Sequence, residues 1–71
     1  MRKRSITLKG HRTSVSLEED FWAALEEIAA AQNRSLPKLI AEIDRTRMKE
    51  MPPPGLASAL RVYVLNSLKG D

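Results

Sequence analysis

The sequence contains no cysteine, one histidine, and a single copy each of Phe, Trp and Tyr. No disulfide can therefore stabilise the fold, and one histidine without cysteine cannot build a structural zinc site. No window approaches the roughly 18 apolar residues that a membrane span requires. The basic start of the chain is not followed by the apolar segment of a secretory signal. We expect a protein of the cytoplasm that needs no cofactor.

The chain is also short, and this limits how it can become stable. Its 71 residues make at most one domain. A chain of about this size buries only about 60% of its unfolded surface. Without disulfides or a metal, oligomerisation is the remaining route to stability.

Charge is distributed unevenly along the chain. Residues 1–17 contain five basic residues and no acidic one, whereas residues 18–71 contain seven basic and nine acidic residues. A basic segment of this kind is typical of a surface that binds a polyanion. Taken alone, the charge is equally compatible with a solvated terminus that aids solubility.

Polar and apolar residues alternate in residues 12–17, which predicts a short strand. Thr13, Val15 and Leu17 fall on one face, suited to a core. The other face carries Arg12, Ser14 and Ser16, side chains that can contact base edges. A single strand leaves its backbone groups unpaired, so we expect it to pair with its copy in a second chain.

The preceding residues, 1–11, allow two interpretations. Ile6 and Leu8 also alternate with polar residues, and Gly10 interrupts the pattern. The segment is either a basic arm or a second short strand that turns at Gly10.

Three helices are predicted after the strand. The first covers about residues 18–32, with Glu18, Glu19 and Asp20 in its first turn, where carboxylates favour the exposed amides. Ser16 and Glu19 have the spacing of a capping box. The helix N-terminus accounts for the acidic residues without a catalytic role, and we expect no enzyme activity.

The second helix begins at Ser35, a plausible N-cap, and its basic C-terminal end suits the helix dipole. A proline-rich link at residues 50–55 separates it from residues 56–69. Residues 61–65 have strand propensity, but the length and the alanine-rich start of this last segment favour a third helix.

The order of these elements resembles the ribbon-helix-helix superfamily of DNA-binding proteins, which includes MetJ and Arc. The resemblance rests on the alternating strand, the acidic helix start, the Leu/Ile stripe, the tight turn at Asn33 and the Ser35-capped helix, and covers about residues 12–46. Within the superfamily, the stretches at residues 10–14, 17–22 and 56–62 are similar to a group of short proteobacterial members. Residues 1–11 and the third helix lie outside the minimal fold.

The resemblance implies a mainly α protein with one short strand, an α+β fold in which two chains intertwine as a homodimer. An intermolecular two-stranded antiparallel ribbon would enter the major groove, with Arg12, Ser14 and Ser16 contacting bases. The implied core is Thr13, Val15, Leu17, Phe21, Trp22, Leu25, Ile28, Leu39, Ile40 and Ile43. The implied phosphate-binding residues are Arg2, Lys3, Arg4, Lys9, Ser35 and Leu36.

The division expected along the chain is an arm or extra strand (1–11), a ribbon-helix-helix core (12–49), a link (50–55) and a C-terminal helix (56–69). The implied function is sequence-specific binding of double-stranded DNA as a transcriptional repressor, associated with the nucleoid when bound. The alternative is a protein-interaction module, antitoxin-like, that docks a second protein through the third helix at Leu60, Tyr63 and Val64. His11 is either a base contact or a structural or simply exposed residue beside the strand.

Overall fold

The first 17 residues of the chain fold into a β-hairpin. In the computed structural model, which describes residues 1–70, strand β1 spans Arg2–Leu8 and strand β2 spans His11–Leu17. The two strands are antiparallel, from Arg2 opposite Leu17 to Leu8 opposite His11. The structure therefore confirms the second interpretation of residues 1–11, a short strand that turns at Gly10, rather than a basic arm.

A two-residue turn connects the strands. Lys9 and Gly10 both have positive φ, 54° and 80°, as a type I′ turn requires. The twist of this turn matches that of the paired strands, so the sequence closes the hairpin locally.

The hairpin corrects the expectation of one short strand. That expectation assumed that β2 has no partner in its own chain, and this premise is wrong, because β1 pairs with β2 along its whole length. The segment was difficult to recognise because three basic residues stand in its first half, where a strand usually carries apolar ones.

Three helices follow the hairpin. They are α1, Glu19–Ala31; α2, Leu36–Arg47; and α3, Leu56–Leu68. The first ends before Asn33, whose positive φ of 56° is the left-handed conformation expected at this break. The third segment is a helix, as its length predicted.

The start of α1 differs in detail from the sequence expectation. The residue preceding the helix is Glu18, whose side chain makes no capping hydrogen bond. Ser16 lies in β2 opposite Lys3 and is too far upstream to cap the helix, so the capping box with Glu19 does not form.

The core closes within one chain. α3 packs against α2, α1 and β2, and Leu60 and Val64 of α3 are buried with residues from the other elements. The buried apolar residues are Val15, Leu17, Trp22, Leu25, Ala29, Leu39, Ile40, Ile43, Leu60 and Val64. A single protomer therefore has a continuous core.

Most of the residues implied as dimer core lie in this intrachain core, with three exceptions. Phe21 and Ile28 are half-buried. Thr13 is exposed in the single chain and so is not part of the intrachain core: it lies on the inner face opposite Ile6, but near the turn end of the hairpin. Within residues 1–70, none of the helices combines the length and apolar character needed to cross a lipid bilayer.

Candidate nucleic-acid interface

The outer face of the hairpin is a continuous polar surface. In the strand register Lys3 lies opposite Ser16, Ser5 opposite Ser14, and Thr7 opposite Arg12. Because opposite residues of an antiparallel pair point to the same side of the sheet, these six side chains share one face. We call this the outer face: Lys3, Ser5, Thr7, Arg12, Ser14 and Ser16.

The chemistry of the outer face suits a polyanion with exposed polar edges. Its six residues comprise two cations and four hydroxyls, and the whole hairpin lacks acidic residues. Hydroxyls both donate and accept hydrogen bonds, and an arginine presents a planar set of donors. Five of the six residues are exposed, and Ser16 is half-buried. Short side chains in the middle of the face allow another molecule to approach the backbone closely.

The structure brings the three predicted base-contacting residues together on this face, with Lys3, which was predicted to bind phosphates, and two residues that sequence reasoning missed, Ser5 and Thr7. Ser5 and Thr7 are next to Ser14 and Arg12, and Lys3, predicted only for phosphates, is next to Ser16. The alternation of Ile6 and Leu8 with polar residues carried the necessary signal. It could be used only once the strand interpretation of residues 1–11 was selected.

Two other predicted phosphate contacts, Arg2 and Arg4, lie on the inner side of β1. Arg4 stacks over the Trp22 ring, with its guanidinium carbon 4.8 Å from the ring centroid, and donates a hydrogen bond to Glu26 at 2.9 Å. Arg2 makes a 3.6 Å ion pair with Glu19, and its carbonyl accepts a 2.9 Å hydrogen bond from the Trp22 indole. These contacts fasten β1 to α1.

Lys9 and His11 flank the tip of the hairpin, and both are exposed. Lys9 occupies the turn, and His11 pairs with Leu8 at the start of β2. Neither belongs to the outer face, although Lys9 carries its charge beyond the end of that face.

The free edge of β2 opens onto a groove of about 480 Å³. Residues of both faces of β2 line it, together with Leu8 of β1, as expected for a groove that runs along the edge of the strand. Its other wall contains Asp44 and Arg47 of α2 and Leu56 and Ala57 of α3.

The backbone groups that face this groove follow from the turn. A two-residue β-turn is closed by a hydrogen bond between the residues that flank it, here Leu8 and His11. Hydrogen-bonded and non-hydrogen-bonded pairs then alternate along an antiparallel ladder. The N–H and C=O groups of Arg12, Ser14 and Ser16 therefore point away from β1, toward the free edge.

An ion pair between the buried Asp44 and the half-buried Arg47 lies in the wall of the groove. Asp44 is 6% exposed and accepts a 2.8 Å hydrogen bond from Arg47. Arg47 also donates to the carbonyl of Pro54 at 2.9 Å. The pair thus ties the end of α2 to the link before α3.

The start of α2 offers fewer free amides than a typical helix. Ser35 is the N-cap and accepts from the Lys38 amide at 3.4 Å. Pro37 has no N–H to donate. Among the first three residues of α2, the amide of Leu36 is left for an anion.

Two acidic residues at the start of α1, Glu18 and Glu19, contact basic residues. Glu18 accepts a 3.0 Å hydrogen bond from Arg61 of α3, and Glu19 pairs with Arg2. A hydrogen bond with its own backbone, followed by the bond from Arg61, lowers the pKa of Glu18. These contacts link α1 to the neighbouring elements.

A further ion pair, Arg34–Glu42, joins the turn between α1 and α2 to α2. Arg34 donates hydrogen bonds to Glu42 and, at 2.7 Å, to Gln32. The hydrogen bond from Arg34 lowers the pKa of Glu42. Gln32 in turn donates to the Tyr63 hydroxyl at 3.0 Å, so this network reaches α3.

One family model matches nearly the whole chain, including the hairpin and the three helices. The model of the ribbon-helix-helix domain matches residues 1–68. The chain belongs to the ribbon-helix-helix family. The match spans β1 and α3 as well as the central segment, so this ribbon-helix-helix domain includes both of the segments outside the minimal fold.

Members of the ribbon-helix-helix family commonly bind DNA, typically as dimers, and are typically DNA-binding or regulatory modules rather than enzymes. No curated protein and no solved structure gave a significant match to this ribbon-helix-helix chain.

Proposed function

We propose that the chain is a homodimeric, sequence-specific double-stranded DNA-binding protein that represses transcription by occupying its site. The observation that carries the proposal is the outer face of the hairpin, which combines two cations and four hydroxyls without an acid. Family membership adds the expectation of DNA as the partner. The protein would then act at chromosomal DNA in the cytoplasm.

In the proposed complex, the outer face of β2 enters the major groove. Arg12 is the principal base-contacting residue, because an arginine can donate two hydrogen bonds to guanine and contribute roughly 1–3 kcal/mol of discrimination. Ser14 and Ser16 add hydroxyl contacts that are direct or bridged by water. Lys9 and the α2 N-terminus at Ser35 and Leu36 bind phosphates.

The dimer would form by antiparallel pairing of the two β2 edges. This edge has unpaired backbone groups and a groove beside it. An unpaired strand edge is a template for another strand. Pairing would give a four-stranded sheet in the order β1, β2, the partner's β2 and the partner's β1.

A matched pair of proline variants tests the dimer. Ser14→Pro removes an amide that faces the β2 edge, whereas Ser5→Pro removes the equivalent amide at the outer edge of β1. Neither amide contributes to the intrachain ladder, and proline is tolerated at such edge positions. We expect sedimentation velocity to show that Ser14→Pro is monomeric and that Ser5→Pro remains dimeric. The reverse result would place the dimer contact on β1.

DNA binding is tested by fluorescence anisotropy with a labelled duplex from upstream of the protein's own gene, against a random competitor. We expect salt-sensitive binding whose preference for the upstream duplex falls in Arg12→Ala. If a duplex selected from a random pool is used instead, the same loss of preference is expected. A folded dimer that binds no duplex at low salt would contradict the proposal.

One observation favours the second candidate, a protein-interaction module. Val62, Leu65 and Leu68 of α3 are 50%, 51% and 78% exposed. Leu60 and Val64, named in the sequence expectation as docking residues, are buried in the chain's own core, and Tyr63 is half-buried. Docking of a second protein on α3 would therefore use the exposed apolar residues. This function is favoured if the anisotropy experiment shows no DNA binding.

A further inference from the structure

In the proposed dimer, each chain contributes two strands, β1 and β2, to the DNA-binding surface. These two strands cannot occupy equivalent positions on DNA. We propose, resting on the DNA-binding function above, that β1 is a phosphate-contacting strand. In this arrangement Lys3, Ser5 and Thr7 bind the DNA backbone along the walls of the major groove, while β2 alone contacts bases.

The order of strands in the proposed dimer places β1 on the outside of the sheet. β1 occupies one edge of β2 along its whole length, so a second chain can pair with β2 only at the other edge. The two β2 strands are then central and the two β1 strands lie outside.

The width of the major groove limits how many strands can enter it. Neighbouring strands are about 4.8 Å apart, so the two outer strands of a four-stranded sheet are about 14 Å apart. The major groove of B-form DNA is about 12 Å wide. The central pair fits within the groove, and each β1 lies above one of its walls, where the phosphates are.

The side chains of β1 agree with this position. Its outer face consists of Lys3, Ser5 and Thr7, which can all donate hydrogen bonds to phosphate oxygens. The only outer-face arginine, the side chain best suited to two simultaneous contacts with guanine, is Arg12 of β2. The two strands thus differ in the contacts that their chemistry favours.

β1 is also held rigidly from behind. On its inner side, Arg4 stacks on Trp22 and bonds to Glu26, and the Trp22 indole bonds to the Arg2 carbonyl. A surface fixed in this way loses little conformational entropy when it binds. Arg2 and Arg4 therefore position the strand, and Lys3 provides its phosphate-binding charge.

The salt dependence of DNA binding tests this division. The probe is a fluorescent duplex selected from a random pool by the wild-type protein, with a scrambled duplex for comparison. Each phosphate contact contributes about 0.9 to the slope of log K against log salt. Two copies of Lys3 per dimer should therefore contribute about 1.8, and Lys3→Ala should lower the slope by this amount.

The same expectation can be written as an affinity ratio. Lys3→Ala should bind more weakly than wild type at 50 mM salt, but its affinity should fall less steeply as salt is raised. The ratio of wild-type to variant affinity should therefore be about 12-fold smaller at 200 mM than at 50 mM salt. Its preference for the selected over the scrambled duplex should stay unchanged, whereas Arg12→Ala should lose preference. Thr7→Val, which removes one hydroxyl at nearly constant shape, should weaken binding to both duplexes by the same factor.

Two control variants complete the experiment. Lys3→Arg should retain the wild-type slope, and Lys49→Ala, which removes a lysine beyond the end of α2, should leave both slope and preference unchanged. Circular dichroism checks whether each variant is folded.

The outcomes separate this inference from the proposed function. If Lys3→Ala keeps the wild-type slope while Arg12→Ala loses preference, β1 does not contact phosphates and the inference is wrong. If Lys3→Ala loses preference as Arg12→Ala does, β1 enters the groove and the inference is also wrong. If the wild-type dimer selects no duplex, the proposed function fails and the inference fails with it.

Discussion

The contribution of α3 to the core gives the sharpest test of the fold. Leu60 is 0% exposed, so Leu60→Ala removes buried methyl groups and leaves a cavity. Changes of this kind cost about 2–5 kcal/mol. A chain of this length has a total stability of about 4–11 kcal/mol. The variant should therefore lose a large part of its free energy of unfolding.

Leu65→Ala is the matched control, because it makes the same substitution in the same helix. Leu65 is 51% exposed, so its truncation removes less buried area and opens no enclosed cavity, and we expect a cost below about 1 kcal/mol. Leu60→Met, which nearly conserves volume, should cost less than about 1.5 kcal/mol.

Urea denaturation followed by Trp22 fluorescence provides the assay, since this is the only tryptophan and is 1% exposed. Thermal denaturation gives a second readout. In a domain of this size each kcal/mol of lost stability lowers Tm by about 4–8 °C, so the Tm of Leu60→Ala should be at least 8 °C below that of wild type. Equal costs for Leu60→Ala and Leu65→Ala would refute the placement of α3 in the core.

Three further predictions follow from individual contacts. Arg4→Ala should cost about 1–2 kcal/mol in chemical denaturation through lost stacking and ion pairing, while its DNA salt slope stays at the wild-type value; a fall like that expected for Lys3→Ala would show that Arg4 binds phosphate. Gly10→Ala should cost about 1–2 kcal/mol, because its φ of 80° disfavours a side chain although the space around it is open; a neutral effect on Tm would contradict the turn geometry. The lowered pKa of Glu18 means that its ionised form adds stability above its unfolded-state pKa, and this is lost as pH falls through the folded-state value. Thermal melts from neutral pH to about pH 3 should therefore show a smaller loss of stability for Glu18→Gln than for wild type, and equal losses would exclude a contribution of the ionised Glu18 carboxylate through its own backbone and Arg61.

The helices were predictable because their signals are local. The Ser35 cap, the left-handed Asn33 and the apolar spacing of α1 and α2 each depend on residues within about two turns of one another. The same holds for the alternation in β2, which correctly separated Arg12, Ser14 and Ser16 from Val15 and Leu17.

The pairing of β1 with β2 was harder to predict than the helices, because the inner face of β1 begins with two arginines. Arg2 and Arg4 stand where apolar residues would normally mark a core-facing strand. They are accommodated there by Trp22, Glu19 and Glu26 of α1. Such pairings join residues more than 15 positions apart, so no local pattern reveals them.

The cations that the sequence predicts to bind phosphates show the same limit. Sequence alone groups Arg2, Lys3, Arg4 and Lys9 as one basic segment. Strand register divides them: Lys3 lies on the outer face, Lys9 lies in the turn, and the two arginines lie on the inner side. The alternation of side chains in a strand separates neighbours that share a charge.

A core that closes within one chain separates folding from assembly. Each chain buries its apolar residues by itself, so in the proposed dimer newly synthesised chains would not need to find each other in order to escape aggregation or proteolysis. Formation of the proposed dimer would then depend on the concentration of folded chains. At low abundance, where folded monomers predominate, occupancy of a two-fold DNA site would rise with the square of the monomer concentration. A repressor built in this way would switch its target over a narrower range of expression than one that binds as a monomer.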